Sequence, residues 1–283
     1  MNILSIQSHV AYGHVGNAAA VFVLQRLGAE VWPLHTVQYS NHKGYGDWTG
    51  RDFSAAHVTE LVRGLAARGA LASCDAVLSG YVGKAGVGEA ILGALRRVRR
   101  ANPAALYACD PVMGDEGGLY VPSETADFFR ARALPLADIL TPNRFELERL
   151  SGRSVTGPDE ALAAARELLA LGPKVVLLTS LRFGPVPAEE IEMLAVTPGA
   201  AWRVRTPYLA LDPMPNGAGD SVAALFLAQY LKTREVPAAL GHAAAAIFAV
   251  IKATAKAGTR ELQLIVAQDE LVAPSRRFEV EPV

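Results

Sequence analysis

Short apolar runs rich in β-branched residues or leucine alternate with longer segments of helical period along almost the whole chain. That alternation constrains the fold more than any other feature. "NILSIQ", "EVWPLHT", "DAVLSG", "ALYACD", "ADIL" and "KVVLLTS" read as strands. "AAAVFVLQRLG" reads as a helix ending at Gly28, where glycine suits a left-handed cap. A second helix runs from after Ser54 to about Arg68, and "GVGEAILGALRRVRR", "FELERLS" and "DEALAAARELLALG" supply three more. "IEMLAV" and "AWRVRT" read as a strand pair near one edge, followed by two long helices from about Gly217 and about Pro237. Pro33 makes its strand an edge or irregular one, because proline cannot donate to a ladder. Apolar strands separated by helices predict an α/β fold: a mostly parallel sheet covered on both faces. No repeat or linker divides the sequence, so residues 1–283 read as one domain.

Composition narrows the function. At 51% hydrophobic residues the chain can fill a sizeable core. Its formal charge of −1 and the lack of a basic tract other than "RRVRR" argue against a nucleic-acid partner, and that cluster reads as a solvated helix face. Two cysteines, Cys74 and Cys109, make no disulfide framework and fit a reducing cytoplasm. The start "MNILSIQSHV" lacks a basic segment and a cleavage site, so it reads as a buried strand. "VPAALGHAAAAIFAVI" is short and alanine-rich for a membrane span, so a buried helix is expected and no membrane partner. The polar, aromatic, glycine-rich stretch "VQYSNHKGYGDWTG", residues 37–50, reads as a lid or binding loop.

Parallel sheets bind ligands beyond the carboxyl ends of their strands. Those ends carry Gln7, Ser8 and His9 followed by "YGHVGN", Tyr81 and Gly83, "DPVMGDEGG", "TPNRFELE", Thr179 and "PNGAGDS". Each has an ordinary reading: Asn17 as a helix cap, Asp110 as a turn residue, Glu146 and Asp220 as charges on first helical turns. The histidines lack metal-ligand spacing, and the usual phosphate-loop, nucleophile-elbow and dinucleotide fingerprints are absent. Together the pieces fit phosphoryl transfer. Gly217, Ala218 and Gly219 bring backbone N–H groups close to a phosphate. Asp220 takes a proton from an attacking alcohol and is held ionised by the helix dipole. Asp110 and Glu146 offer oxygen ligands, directly or through water, to a magnesium ion on nucleotide phosphates.

"NGAGDS" resembles the signature of the ribokinase-like superfamily. "ILSIQSHVAYGHVGN", "GAEVWPLHTVQYSNH", "CDAVLSGYVG", "CDPVMGD", "TPN" with Glu146 and "ELQLIVAQDEL" extend the match from the first strand to the last helix. All resemble bacterial pyridoxal kinases of the pyridoxal-specific type. The resemblance implies a ribokinase-like fold with a lid at about 37–50, and ATP-dependent phosphorylation of the 5′-hydroxymethyl group of pyridoxal. Asp220 is then the base and touches the vitamin, and Gly217, Ala218 and Gly219 form the anion hole. Ser8 bonds the pyridine ring, while Val10, Tyr81, His42, Lys43 and Gly44 line the pocket or its cover. Asp110, Thr141, Glu146, Thr179, Thr206, Pro207, Tyr208 and Leu209 lie at the nucleotide, with Asp110 and Glu146 at its metal. The resemblance also implies Mg2+ with a monovalent cation such as K+, and a homodimer. The chain departs from the family pattern at Lys43-Gly44, where Thr-Gln is usual, at Thr179, where lysine is common, and at Thr206-Pro207-Tyr208-Leu209, usually Arg-Pro-Leu-Val. Two alternatives stand: a hydroxymethylpyrimidine kinase of the same superfamily, and a pyridoxal phosphate reservoir that turns over slowly.

Overall fold

The computed structural model describes residues 1–183 and 189–283. Its strands are β1 (Asn2–Val10), β2 (Glu30–Tyr39), β3 (Gly50–Asp52), β4 (Ala76–Ser79), β5 (Leu106–Cys109), β6 (Gly114–Asp115), β7 (Gly118–Leu119), β8 (Ile139–Leu140), β9 (Val175–Leu181), β10 (Glu190–Val196), β11 (Ala201–Pro207) and β12 (Val280–Pro282). Its α-helices are α1 (Asn17–Arg26), α2 (Ala55–Ala67), α3 (Ala85–Ala101), α4 (Ser123–Phe128), α5 (Arg144–Ser151), α6 (Pro158–Leu169), α7 (Ala218–Thr233), α8 (Val236–Ala257) and α9 (Gln268–Val272). Ten strands form one sheet in the order β12-β11-β10-β9-β8-β5-β4-β1-β2-β3. The middle of it, from β9 through β8, β5, β4 and β1 to β2, is parallel. β10, β11 and β12 at one side and β3 at the other run antiparallel to their neighbours.

Side-chain alternation divides the sheet between two cores. Leu4 and Ile6 of β1, Val77 of β4, Tyr107 and Cys109 of β5, and Val176 and Leu178 of β9 face α2, α3, α5 and α6. Ile3, Ala76, Leu78, Ala108, Val175 and Leu177 face α1, α7 and α8. Residues on both parities are buried, so these strands lack the polar alternation of a one-sided sheet. α8, 22 residues long, is long and apolar enough to cross a membrane by length and composition alone, but 56% of that window is buried. Its Leu240, Ala243, Ala244, Ala246 and Val250 belong to the second core with α7 and β11, as expected for a core helix.

Pro33 lies in a strand that is not outermost. β3 covers β2 only opposite Val37 to Tyr39, so the earlier part of β2, with Pro33 in it, pairs on one side alone. Ser54 caps α2 by accepting a hydrogen bond from the His57 N–H at 3.2 Å. In the basic run on α3, Val98 is buried and Arg99 donates to Asp138 at 2.7 Å, while Arg96, Arg97 and Arg100 are exposed.

Candidate active site

The start of α7 is shaped by a backbone constraint. Gly217 caps the helix in the left-handed region, with φ 89°. A Cβ there would lie 1.8 Å from the His14 carbonyl oxygen, so only glycine lets the two backbones meet. Gly219, the second helical residue, is exposed, and a Cβ built on it meets nothing within 4 Å. The first turn of α7 therefore presents an unobstructed backbone face. Asp220 follows as the third helical residue and is half-buried. Burial raises its pKa above the ordinary carboxylate range, and a hydrogen bond from the Gly16 N–H opposes that. Desolvation is thus the larger influence on Asp220 and the Gly16 N–H the smaller, opposing one.

The turn that supplies this N–H is itself braced. Gly16 caps α1 with φ 54°, and a Cβ there would lie 2.3 Å from the Ser8 carbonyl oxygen and 2.4 Å from its Oγ. Ser8 thus lies against the turn that bonds Asp220. Asn17 is not the cap expected of it. It is the first helical residue, and its buried side chain accepts from Ser5 Oγ at 2.7 Å and donates to the Leu34 carbonyl at 2.9 Å. Gln7 Nε2 donates to the same Ser5 Oγ at 3.0 Å, and His35 Nδ1 lies 3.0 Å from Asn17 Nδ2. These bonds tie β1, α1 and β2 together beneath the turn.

Asp110, directly after β5, is buried and accepts a hydrogen bond from Thr141 Oγ1 at 3.0 Å. Burial pushes its carboxyl well above the usual range, and the nearby charges of Glu146 and Asp220 push it further. Glu146 is locked by a capping box at the start of α5. Its Oε2 accepts from the Asn143 N–H and its Oε1 from the Met113 N–H, each at 3.0 Å. Burial still lifts its pKa to about 8, against the pull of those backbone donors. Among the described residues no group of three or more His, Cys, Asp or Glu could hold a metal by itself. Magnesium in phosphotransferases needs only one or two carboxylates, with phosphates and waters filling the rest. A buried carboxylate repelled by two others is what a cation relieves, so Asp110 fits that role. The occupied oxygens of Glu146 suit contact through water better than direct ligation.

Thr179 is buried in β9, and its N–H donates to the Pro142 carbonyl at 3.1 Å, beside Thr141. Ser180 follows with a positive φ of 56°. Thr206 and Pro207 end β11, and half-buried Tyr208 and Leu209 follow, across β10 from β9. The Arg182 guanidinium stacks 3.7 Å from the centre of the Tyr208 ring, a positive charge at this end of β9 that the sequence reading missed.

On the opposite side of the α7 start, buried Val10 and half-buried Tyr81 form a small cluster with Val15, Val37 and Tyr39. Thr36 Oγ1 donates to the Tyr81 carbonyl at 2.7 Å. The segment 37–50 leaves β2, makes a tight turn at Lys43–Tyr45 and returns as β3. His42 Nδ1 accepts from the Gly44 N–H at 3.2 Å, and burial, then the Arg260 charge, lowers its pKa. Lys43 Nζ sits 4.4 Å from the centre of the Trp48 ring and 5.0 Å from that of Tyr39. Asp110 thus lies within reach of Glu146, Asp220 and Thr141, with Thr179 bonded to Pro142 next along the chain and Gly217–Gly219 leading into Asp220. Ser8 lies against Gly16; Val10 and Tyr81 pack in the cluster beside it, and the Lys43–Tyr45 turn is reached through Glu261. Gly16, Arg260 and Glu261 also belong to this framework and were not singled out from the sequence.

The parallel sheet, its two helical layers and the glycine-led α7 beside buried acids define the ribokinase-like fold class. The chain belongs to the phosphomethylpyrimidine kinase family, whose model matches residues 59–264. Pyridoxal kinase PdxY of Rubrobacter xylanophilus is 55% identical over all of this chain and 98% of that relative. Pyridoxal kinase PdxY of Deinococcus radiodurans is 53% identical over 100% of this chain and 96% of its own length. Among solved structures, pyridoxal kinase from Leishmania donovani in complex with ADP and pyridoxamine superimposes with a TM-score of 0.93. It is 32% identical, over 100% of this chain and 99% of that one.

Proposed function

We propose that this chain is a pyridoxal kinase, transferring the γ-phosphoryl group of ATP to the 5′-hydroxymethyl oxygen of pyridoxal. The start of α7 carries the chemical part of this reading. There the substrate oxygen forms a bond to the γ-phosphorus while the bond to the β-phosphate oxygen breaks, and ADP leaves. Asp220 receives the hydroxyl proton, and its raised pKa suits a base better than that of an ordinary surface carboxylate. The N–H groups at Gly217, Ala218 and Gly219 stabilise charge on the transferring group without rearranging. Mg2+ bound with the nucleotide would neutralise phosphate charge, and Asp110, with Glu146 through water, would hold it. Ser8 contacts the ring of the vitamin, and Val10 and Tyr81 form its apolar wall. Thr141, Thr179 and Thr206 to Leu209 border the nucleotide, and the segment 37–50 closes over the acceptor.

The family's name points to a pyrimidine substrate, but its matched region begins at residue 59. β1, β2 and the segment 37–50, which flank the acceptor side, lie outside it and are covered by the full-length pyridoxal kinase relatives. That favours pyridoxal over hydroxymethylpyrimidine. Both cysteines are buried and unpaired, which supports a cytosolic setting; a homodimer belongs to the same reading and is measurable by light scattering. A panel of pyridoxal, pyridoxine, pyridoxamine and hydroxymethylpyrimidine with ATP and Mg2+ tests the assignment. Pyridoxal should show the highest kcat/KM with multiple turnovers. A preference for the pyrimidine, or a single stoichiometric turnover, would replace it with one of the two alternatives.

A further inference from the structure

The segment after α8 touches both the acceptor cover and the phosphoryl-transfer turn. Gly258 ends α8 in the left-handed region, and Thr259 to Gln263 are braced at once. Thr259 Oγ1 donates to the Glu261 carbonyl at 2.9 Å, and the Gln263 N–H donates to Thr254 Oγ1 at 3.0 Å. Leu262 and Leu264 are fully buried in the second core and anchor the segment. Leu262 also lies under the anion hole, with Cδ1 3.4 Å from where a Cβ on Gly217 would be.

From this anchored base two charged side chains reach outward. Glu261 Oε2 accepts the His14 N–H at 3.0 Å, and its Oε1 accepts the Tyr45 hydroxyl of the segment 37–50. Arg260 Nη2 donates to the Gly44 carbonyl at 2.7 Å, and its guanidinium lies 4.3 Å from the centre of the Tyr45 ring. Gly13 makes room for this arrangement, since a Cβ there would lie 2.3 Å from Glu261 Oε2. His14 is the residue whose carbonyl abuts Gly217, and two residues on, Gly16 donates to Asp220. One carboxylate therefore joins the cover to the turn that positions both the anion hole and the base.

We propose that Arg260 and Glu261 form a latch that holds the Lys43–Tyr45 turn closed over the acceptor and registers it against the turn at His14 to Gly16. Glu261 is a positioning residue: it acts through Tyr45 and the His14 N–H. The latch rests on the pyridoxal kinase assignment, because it matters only where an acceptor must be enclosed while water is kept from ATP. Hydrogen bonds to a charged group have the strength to hold such a segment, and losing them changes equilibria by about 10–100-fold.

Steady-state kinetics of the full-length protein, with pyridoxal 5′-phosphate formation and total ATP hydrolysis measured in parallel, test the latch. The variants are Glu261→Ala, Glu261→Gln, Tyr45→Phe, Arg260→Ala and the double variant Glu261→Ala with Tyr45→Phe. Phosphorylation of pyridoxal by the native protein comes first; if it is absent, the assignment fails, not the latch alone. Given that activity, Tyr45→Phe and Arg260→Ala should raise the pyridoxal KM by about 10-fold and the fraction of ATP lost to hydrolysis, with the ATP KM nearly unchanged. Glu261→Ala should do so more strongly and also lower kcat, and Glu261→Gln should recover part of the loss. The double variant should have a pyridoxal KM no worse than Glu261→Ala alone. Independent, multiplying effects of Tyr45 and Glu261, or an unchanged ratio of phosphorylation to hydrolysis in the single variants, would overturn the latch. Should Glu261→Ala fail to fold, Tyr45→Phe and Arg260→Ala, both at partly exposed side chains, decide the question.

Discussion

The same substitution at two glycines of one helical turn should give crossed outcomes. Gly217→Ala places a methyl group 1.8 Å from the His14 carbonyl oxygen, whereas Cβ contacts under 3.0 Å do not persist, so backbone must give way by more than 1 Å. The left-handed φ of 89° adds about 1–2 kcal/mol for a non-glycine residue. In chains approaching this size each kcal/mol moves Tm by about 2–4 °C, so strain alone should cost at least about 2–8 °C. A displacement of about 1 Å at reacting groups lowers rates by about 10²-fold. Gly219→Ala has no such burden: its Cβ meets nothing, and alanine is about 0.5–1 kcal/mol better than glycine inside a helix. Its Tm should hold or rise. Its methyl group nevertheless stands where a phosphate oxygen must approach, so turnover should drop by about 10²–10³-fold, the scale of losing one anion-hole donor. Thermal melts and a coupled ADP-release assay read both quantities. If Gly219→Ala is as stable as native and turns over normally, the phosphoryl group does not sit at the α7 start, whatever happens to Gly217→Ala.

Four further outcomes are expected. Asp220→Asn should lower kcat by about 10²–10⁴-fold while leaving ATP affinity, measured by calorimetry, intact; a near-native kcat would reduce Asp220 to a helix-start residue. Asp110→Asn should raise the Tm of the metal-free protein, because it removes a buried carboxylate repelled by Glu146 and Asp220, yet raise the Mg2+ needed for half-maximal rate by about 10–100-fold. Ser8→Ala should raise the pyridoxal KM and leave the ATP KM nearly unchanged; the reverse pattern would move the vitamin elsewhere. In metal-free protein the Glu146 contribution to stability should fall as pH rises from 4.5 to about 8. Over that interval folded Glu146 retains a proton that the unfolded chain releases, so the folded state binds more protons and loses stability with rising pH. Glu146→Gln should flatten the slope in a pH series of melts, and an unchanged slope would count against that account.

Much of the fold was legible because its signals are local. Doubly buried strands read as continuous apolar runs, Ser54 and Gly28 stand at helix ends, and the tiny residues before Asp220 mark a helix start without their partners being known. Elements defined only by pairing were not legible. β3, the β6–β7 pair and β12 are two or three residues long, too short to show a period, and are defined only by the strand each pairs with. Asn17 misled for a related reason. Its residue type fits a cap, but a buried acceptor on Leu34 and a donor on Ser5 draw the side chain away from the helix end. The sign of the Asp220 shift was also out of reach, since desolvation depends on what three-dimensional packing excludes from the group. Arg182, stacked on Tyr208, sits at the end of the strand where the sequence showed only a missing lysine at Thr179.

The bond from the His14 N–H to Glu261 spans 247 residues of sequence. During synthesis at about 5–20 residues per second, roughly 10–50 s separate the two residues at the ribosome. Throughout that interval β1 and α1 can exist, and β4 can pair with β1, but the turn that abuts Gly217 lacks its brace. α7 and α8, which complete one whole helical layer, arrive in the same late stretch. On the proposed mechanism, catalytic competence would come only late in translation. A truncated chain ending before Glu261 would keep most of the sheet but, on that mechanism, lack the brace at the α7 start, so turnover would gauge whether a molecule has finished folding.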